Sequence, residues 1–267
     1  MRAEVDEATF THAPGSVGLL SVRDVHRDFG GVRACNGVTF AVKAGHITGL
    51  IGPNGAGKST MVGIISGALR STSGSLLFDS VDVTRVPAHL RARLGLTRTF
   101  QLSSEFAKLT VLENLVVAAP RQAGESLWGA LLGKAHWLPQ EQTLVERARE
   151  LLVRFAMSEK EDEYAGNLSG GQKRLVEIMR ALMAQPKLLL LDEPMAGVHP
   201  NLAQRIVQYL EELRDSGLTM LLVEHELGVV ERLCEPVIVM AEGKVIAEGS
   251  MHEMRQHAAV VDAYLGG

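Results

Sequence analysis

The sequence predicts an α/β fold in which antiparallel strands precede a parallel sheet and a long helical stretch interrupts it. Three observations carry that reading. Runs at 187–192, 220–223 and 236–240 are short, apolar and bounded by turns or helices, as strands buried on both faces of a parallel sheet are. Residues 19–25 and 38–42 alternate instead, the habit of half-exposed antiparallel strands. From 110 to 184 the apolar spacing turns helical. Val111, Leu115 and Ala118 form one stripe, and Leu144, Ala148, Leu151, Leu152 and Phe155 another.

The other elements follow in order. Residues 1–18 read as a flexible tail, with Glu4, Asp6 and Glu7 where a secretory signal needs basic residues. Residues 46–51 form a short apolar strand, and a helix opens near Ser59. A strand at 74–78 is followed by Asp79 and Asp82 in turns, and a strand at 96–100 ends at Gln101. Ser250 and Glu253 have capping-box spacing, so a final helix begins there.

Composition excludes several functions. With 267 residues, 46% of them hydrophobic, the chain can bury one large core or two lobes. A net charge of -4 without a dominant Lys/Arg cluster argues against nucleic acid as a partner. No apolar run reaches the roughly eighteen residues of a membrane span, so a membrane role needs a partner. Cys35 and Cys234 lack zinc-site spacing and read as buried thiols in a reducing compartment.

The most specific signal is Gly52-Pro53-Asn54-Gly55-Ala56-Gly57-Lys58-Ser59-Thr60, which fits G-x-x-x-x-G-K-[ST] between a strand and a helix. Its glycines permit positive φ and close approach to phosphates. The helix start aims free N–H groups and a positive dipole end at an anion. Lys58 supplies a cation for the β and γ phosphates, and Ser59 a hydroxyl for Mg²⁺.

A second cluster ends the leucine run at 188–191. That strand delivers Asp192 to its carboxyl end, where it can hold a magnesium shell, and Glu193 follows where it can polarise water. Alone, this is a strand running into an acidic turn; behind a phosphate loop it is chemistry. Leu168-Ser169-Gly170-Gly171-Gln172 opens a helix, and Ser169 and Gln172 have capping-box spacing. Two glycines in a first turn cost roughly 1 kcal/mol each relative to alanine. They make sense if another backbone or a phosphate comes close.

That segment, set ahead of the 188–193 strand, resembles the signature of ATP-binding-cassette (ABC) ATPases, and the resemblance covers nearly all of 19–267. It implies a RecA-like P-loop NTPase core with an N-terminal antiparallel β subdomain and a helical subdomain inserted at about 103–184. By resemblance, residues 52–60 are the Walker A loop, 188–192 the Walker B strand and Glu193 the catalytic glutamate. Gln101 falls at the Q-loop position, also a Mg²⁺ ligand, and His225 at the switch-histidine position. Asp192 is expected to reach Mg²⁺ through water, and Phe29 occupies the place of the aromatic that stacks on adenine. The resemblance further implies a head-to-tail dimer in which Ser169, Gly170, Gly171 and Gln172 complete the partner's ATP site.

One departure stands out. His199 stands where the family usually has an aspartate, after Met195-Ala196-Gly197-Val198, and this Ala-Gly form with a non-acidic residue resembles the ATPases of branched-chain amino-acid importers. His199 is either a cross-dimer hydrogen-bond partner or the turn before a helix at Asn201. Arg98-Thr99-Phe100-Gln101, an extra segment at 120–140 with Trp128 and Trp137, and the ending Asp262-Ala263-Tyr264-Leu265-Gly266 also resemble that subgroup. Its partners are transmembrane permease subunits, a second and usually different ATPase and, indirectly, a solute-binding protein, at the cytoplasmic face of the membrane. The 120–140 segment packs on the protein's own helical lobe or meets the permease. Runner-up readings are the ATPase of a lipid or lipopolysaccharide exporter and, from another class, a soluble ABC ATPase acting on nucleic acid or ribosomes. A GTP switch lacks its Asn-Lys-x-Asp motif here.

Overall fold

The computed structural model describes residues 18–99, 106–120 and 134–265. The expected tail up to residue 17, Phe100, Gln101 and most of the 120–140 segment with Trp128 lie outside them.

Strand β1 (Leu20–Phe29) forms a hairpin with β2 (Val32–Val42), and β3 (Ile47–Ile51) leads through the phosphate loop into helix α1 (Lys58–Ser66). Then come β4 (Ser73–Phe78), β5 (Val81–Asp82), α2 (Ala88–Arg93) and β6 (Leu96–Arg98). Helices α3 (Val111–Val117), α4 (Lys134–Arg154) and α5 (Gly170–Met183) precede β7 (Leu188–Asp192). The chain continues through α6 (Pro200–Asp215), β8 (Thr219–Val223), α7 (Leu227–Leu233), β9 (Val237–Ala241) and β10 (Lys244–Gly249). It closes with α8 (Met251–Gln256) and α9 (Ala258–Leu265).

Two sheets result. The antiparallel one has the order β2-β1-β4-β5; the other runs β10-β9-β3-β8-β7-β6. Within the second, β9, β3, β8, β7 and β6 are parallel and β10 pairs antiparallel at the edge. Alternate residues of its central strands feed two cores, as a period of two requires. Leu50, Leu188, Leu190, Leu221 and Val223 pack with α1 (Met61, Val62, Ile64, Ile65) and the antiparallel sheet. Ile47, Ile51, Leu189, Leu191 and Leu222 pack on the opposite face with the helices α4 to α8. Both faces are covered, so the strands read as continuous apolar runs.

The differences from expectation have local causes. Both hairpin strands extend beyond 19–25 and 38–42. Register shifts after Val22, Val25 and Arg27 break the alternation that marks a strand. Asp82 belongs to β5, opposite Leu77, rather than to a turn. Its Oδ1 accepts from the Thr84 N–H at 2.8 Å. Ser250 caps α8 with both capping-box bonds in place. Cys35 and Cys234 are buried, and burial pushes their thiols up to about 11 and about 12, which leaves them unreactive.

Candidate nucleotide site

Gly57 caps α1 from the left-handed region, at φ 98°, and a Cβ there would lie 2.2 Å from the Ala34 carbonyl oxygen. No other residue fits. The loop between Gly52 and Lys58 is thereby pressed against β2, while Asn54, Gly55 and Ser59 face solvent. Ala56 is buried, and Pro53 and Thr60 are half-buried. Lys58 is only 6% exposed, and its Nζ donates to the Gly52 and Pro53 carbonyls at 2.8 and 2.9 Å. Burial lowers its pKa, and Glu193 and Asp192 act in the opposite direction. The ammonium is held over the loop by these two carbonyls.

Asp192 ends β7, and its Oδ2 accepts from Arg98 Nη2 at 2.7 Å. Glu193 turns out of the strand at φ 47° with its N–H on the Val223 carbonyl at 2.9 Å. Its Oε1 lies 2.8 Å from His225 Nε2, so the imidazole donates in the tautomer that carries its proton there. A cavity of about 360 Å³ joins these residues: Ser59, Arg98, Thr99, Arg174, Asp192 and Glu193 line it. A larger cavity, about 840 Å³, is bordered by Arg147, Glu150 and Leu151 and contains none of the phosphate-loop residues.

Phe29 ends β1 beside the hairpin turn, 43% exposed, with the Arg27 guanidinium 4.4 Å from its ring centroid. Ser169 caps α5: its Oγ accepts from the Gln172 N–H at 3.3 Å, and Gln172 Oε1 accepts from the Ser169 N–H at 2.9 Å. The two glycines divide. A Cβ on Gly171 would meet Leu202 Cδ2 at 2.3 Å, so this glycine is packed against α6. Gly170 is exposed, and a Cβ there meets nothing within 4 Å among the described residues. None of Ser169, Gly170, Gly171 and Gln172 lines the cavity around Ser59 and Glu193, although Arg174 of the same helix does. Gln101 lies outside the described residues. His199 is the N-cap of α6, with Nδ1 3.4 Å from the Asn201 N–H and Pro200 at the first helical position.

Sequence reasoning passed over three residues here. Arg98 and Arg174 line the cavity, and Glu224, 5% exposed, accepts the Met195 and His225 N–H groups. A charged residue directly after the apolar run of β8 was the only available signal for Glu224.

A phosphate loop at the end of a parallel strand, with an acid pair at the end of β7, one strand beyond the neighbouring β8, defines a nucleoside-triphosphate-binding α/β protein. Residues 35–196 match the family described as ABC transporter, and residues 244–267 match the one described as Branched-chain amino acid ATP-binding cassette transporter. A probable branched-chain amino acid transport ATP-binding protein LivG of Archaeoglobus fulgidus is 40% identical over 93% of this chain and 95% of its own. The high-affinity LivG protein of Escherichia coli K12 is 35% identical over 93% of this chain and 98% of its own. A crystal structure of a cassette from an ABC transporter in its ADP conformation superposes with a TM-score of 0.81 at 37% identity, covering 94% of this chain and 100% of that one. The chain therefore belongs to the ATP-binding subunits of ABC transporters, which are ATPases coupled to transport. No helix among the described residues is long and apolar enough to cross a membrane.

Proposed function

We propose that this chain binds and hydrolyses ATP to power an importer of branched-chain amino acids or a related small amide or amino-acid solute. The reading of the site rests on one observation: Ser59, Asp192 and Glu193 line a single cavity, with His225 hydrogen-bonded to Glu193. The solute class is supported by the match of residues 244–267 and by the LivG relatives.

In this reading the loop N–H groups and Lys58 hold the β and γ phosphates, and Phe29 stacks on the adenine. Glu193 accepts the proton of the attacking water, and His225 fixes the carboxylate that does so. Ser59 and Asp192 offer hard oxygen donors on one cavity. Among the described residues no group of three or more His, Cys, Asp or Glu could hold a metal. A hydroxyl and a carboxylate on one cavity are the kind of hard oxygen donors that suit Mg²⁺, which also keeps water and takes phosphate oxygens. Ser59 would hold it directly, Asp192 through water, with Gln101 the third protein contact. A Mg²⁺ held there would supply positive charge that offsets that of the phosphate chain.

The segment Ser169, Gly170, Gly171 and Gln172, exposed at Ser169 and Gly170, meets the ATP of a second cassette in a head-to-tail pair, more readily a different ATPase than a second copy. Permease subunits anchor the pair at the cytoplasmic face of the membrane, and a solute-binding protein acts through them. Uptake of labelled leucine in a strain lacking this chain tests the solute. Uptake restored by the wild-type chain and not by Glu193→Gln supports import, whereas unimpaired uptake in the deletion strain rejects it.

A further inference from the structure

We propose that Glu224 is a positioning residue that holds His225 against Glu193. This rests on reading Glu193 and His225 as the hydrolytic pair.

Glu224 follows β8 directly and is 5% exposed, an expensive place for a carboxylate unless its oxygens are matched. They are matched by backbone from two different loops. Oε1 accepts the Met195 N–H at 2.9 Å, from the loop after β7; Oε2 accepts the His225 N–H at 3.1 Å, from the loop after β8. Burial raises the pKa of this carboxyl, and hydrogen bonds from the Met195, His225 and Glu226 backbones counter that.

These are the two loops that carry the reacting side chains. The His225–Glu193 contact at 2.8 Å is itself open to solvent, with side chains 44% and 42% exposed. An exposed pair of this kind holds its own geometry only weakly. What brings the imidazole to the carboxylate is therefore the spacing of the loops beneath it. That spacing is set by the Glu193 N–H on the Val223 carbonyl at 2.9 Å and by the carboxylate of Glu224. Met195 also begins the segment that ends at His199, the cap of α6. A shift of that segment therefore reaches His225 through a single side chain. The Val223 carbonyl accepts the Glu193 amide, and the forked carboxylate of Glu224 spans Met195 and His225.

Glu224→Gln tests this in the assembled transporter. The amide keeps the shape and one acceptor but turns an NH₂ group toward one of the two N–H donors. Single-turnover hydrolysis is expected to fall at least tenfold, with ATP affinity within twofold of wild type. In a His225→Ala background the same substitution is expected to change hydrolysis less than twofold, because the imidazole it positions is gone. Hydrolysis within twofold of wild type, or an equal loss in both backgrounds, overturns the inference. Melting temperature is recorded for each variant. If Glu224→Gln does not fold, Glu224→Asp, which keeps the charge and shortens the reach, carries the same comparison. Glu193→Gln is the control. Normal turnover there rejects the hydrolytic pair itself, whereas slow turnover there beside normal Glu224→Gln rejects only the role of Glu224.

Discussion

The phosphate loop and the tip of α5 are both helix starts built with glycine, and the chain treats them oppositely. Gly57 is pinned by the Ala34 carbonyl, and Lys58 is folded onto the Gly52 and Pro53 carbonyls, so the loop is braced by its own protein. At the α5 tip the inner glycine, Gly171, is filled against Leu202, but the outer one, Gly170, faces open space. A glycine in a first turn that no described residue requires is a cost of roughly 1 kcal/mol with no return among the described residues. The first region is a finished grip. The second leaves its outer glycine open, and in the proposed function that opening receives the nucleotide of a second cassette.

The largest effect expected is at Glu193, in the finished half. Glu193→Gln removes the proton acceptor, and phosphate release is expected to fall by about 10²-fold or more, with ATP binding retained. Gel filtration with ATP then detects a trapped pair of cassettes. Undiminished turnover would remove the base from this half of the comparison.

Lys58→Ala comes next. A charge-assisted contact to phosphate contributes about 1.5–3 kcal/mol, so affinity for a fluorescent ATP analogue should weaken by about 10- to 100-fold. Unchanged affinity would mean that the braced loop is not the grip.

The two glycines of the tip give the sharpest contrast. Gly171→Ala brings a methyl against Leu202 Cδ2, the end of a side chain that can shift, and should destabilise the isolated chain by about 1 kcal/mol, the low end for overpacking, seen as a lower melting temperature. Gly170→Ala should leave melting unchanged or raise it, since alanine favours helix by up to about 1 kcal/mol. ATPase of the assembled transporter should nevertheless drop several-fold as the added methyl meets the partner's nucleotide. Full activity in Gly170→Ala would show that nothing fills the open side.

How much of this was legible beforehand depends on whether the deciding contact is local. Four leucines before Asp192, the loop ending in Lys58 and Ser59, and the Ser169–Gln172 cap are all contiguous, and each forms the element its pattern implies. Strand β10 was missed because its half-exposed residues, Lys244 to Gly249, carry no clean alternation; pairing with β9 makes the strand. The contact of Gly171 with Leu202 was not legible, because the two are distant in sequence. Glu224 reads as a surface acid between Val223 and His225, and only the return of the β7 loop buries it. The Arg98–Asp192 pair joins residues 94 apart, which no spacing rule reaches.

That pair supplies the smallest and most discriminating effect. Arg98 ends β6, and its side chain and that of Asp192 are each 21% exposed, so the contact is only partly screened. The guanidinium occupies an oxygen of the carboxylate expected to hold the Mg²⁺ shell, so cation and arginine compete for it. Removing the arginine frees Asp192 and makes the cavity more negative. A partly exposed pair is worth about 1 kcal/mol, so Arg98→Met should lower by a few-fold the Mg²⁺ concentration that half-saturates binding of the ATP analogue. A second effect runs the other way, because a cation lining the cavity also attracts the triphosphate. That effect is seen without Mg²⁺, as weaker binding of the metal-free analogue. If the Mg²⁺ requirement rises instead, Arg98 supports the metal-bound nucleotide and does not compete with it, and the finished half of the site includes the end of β6.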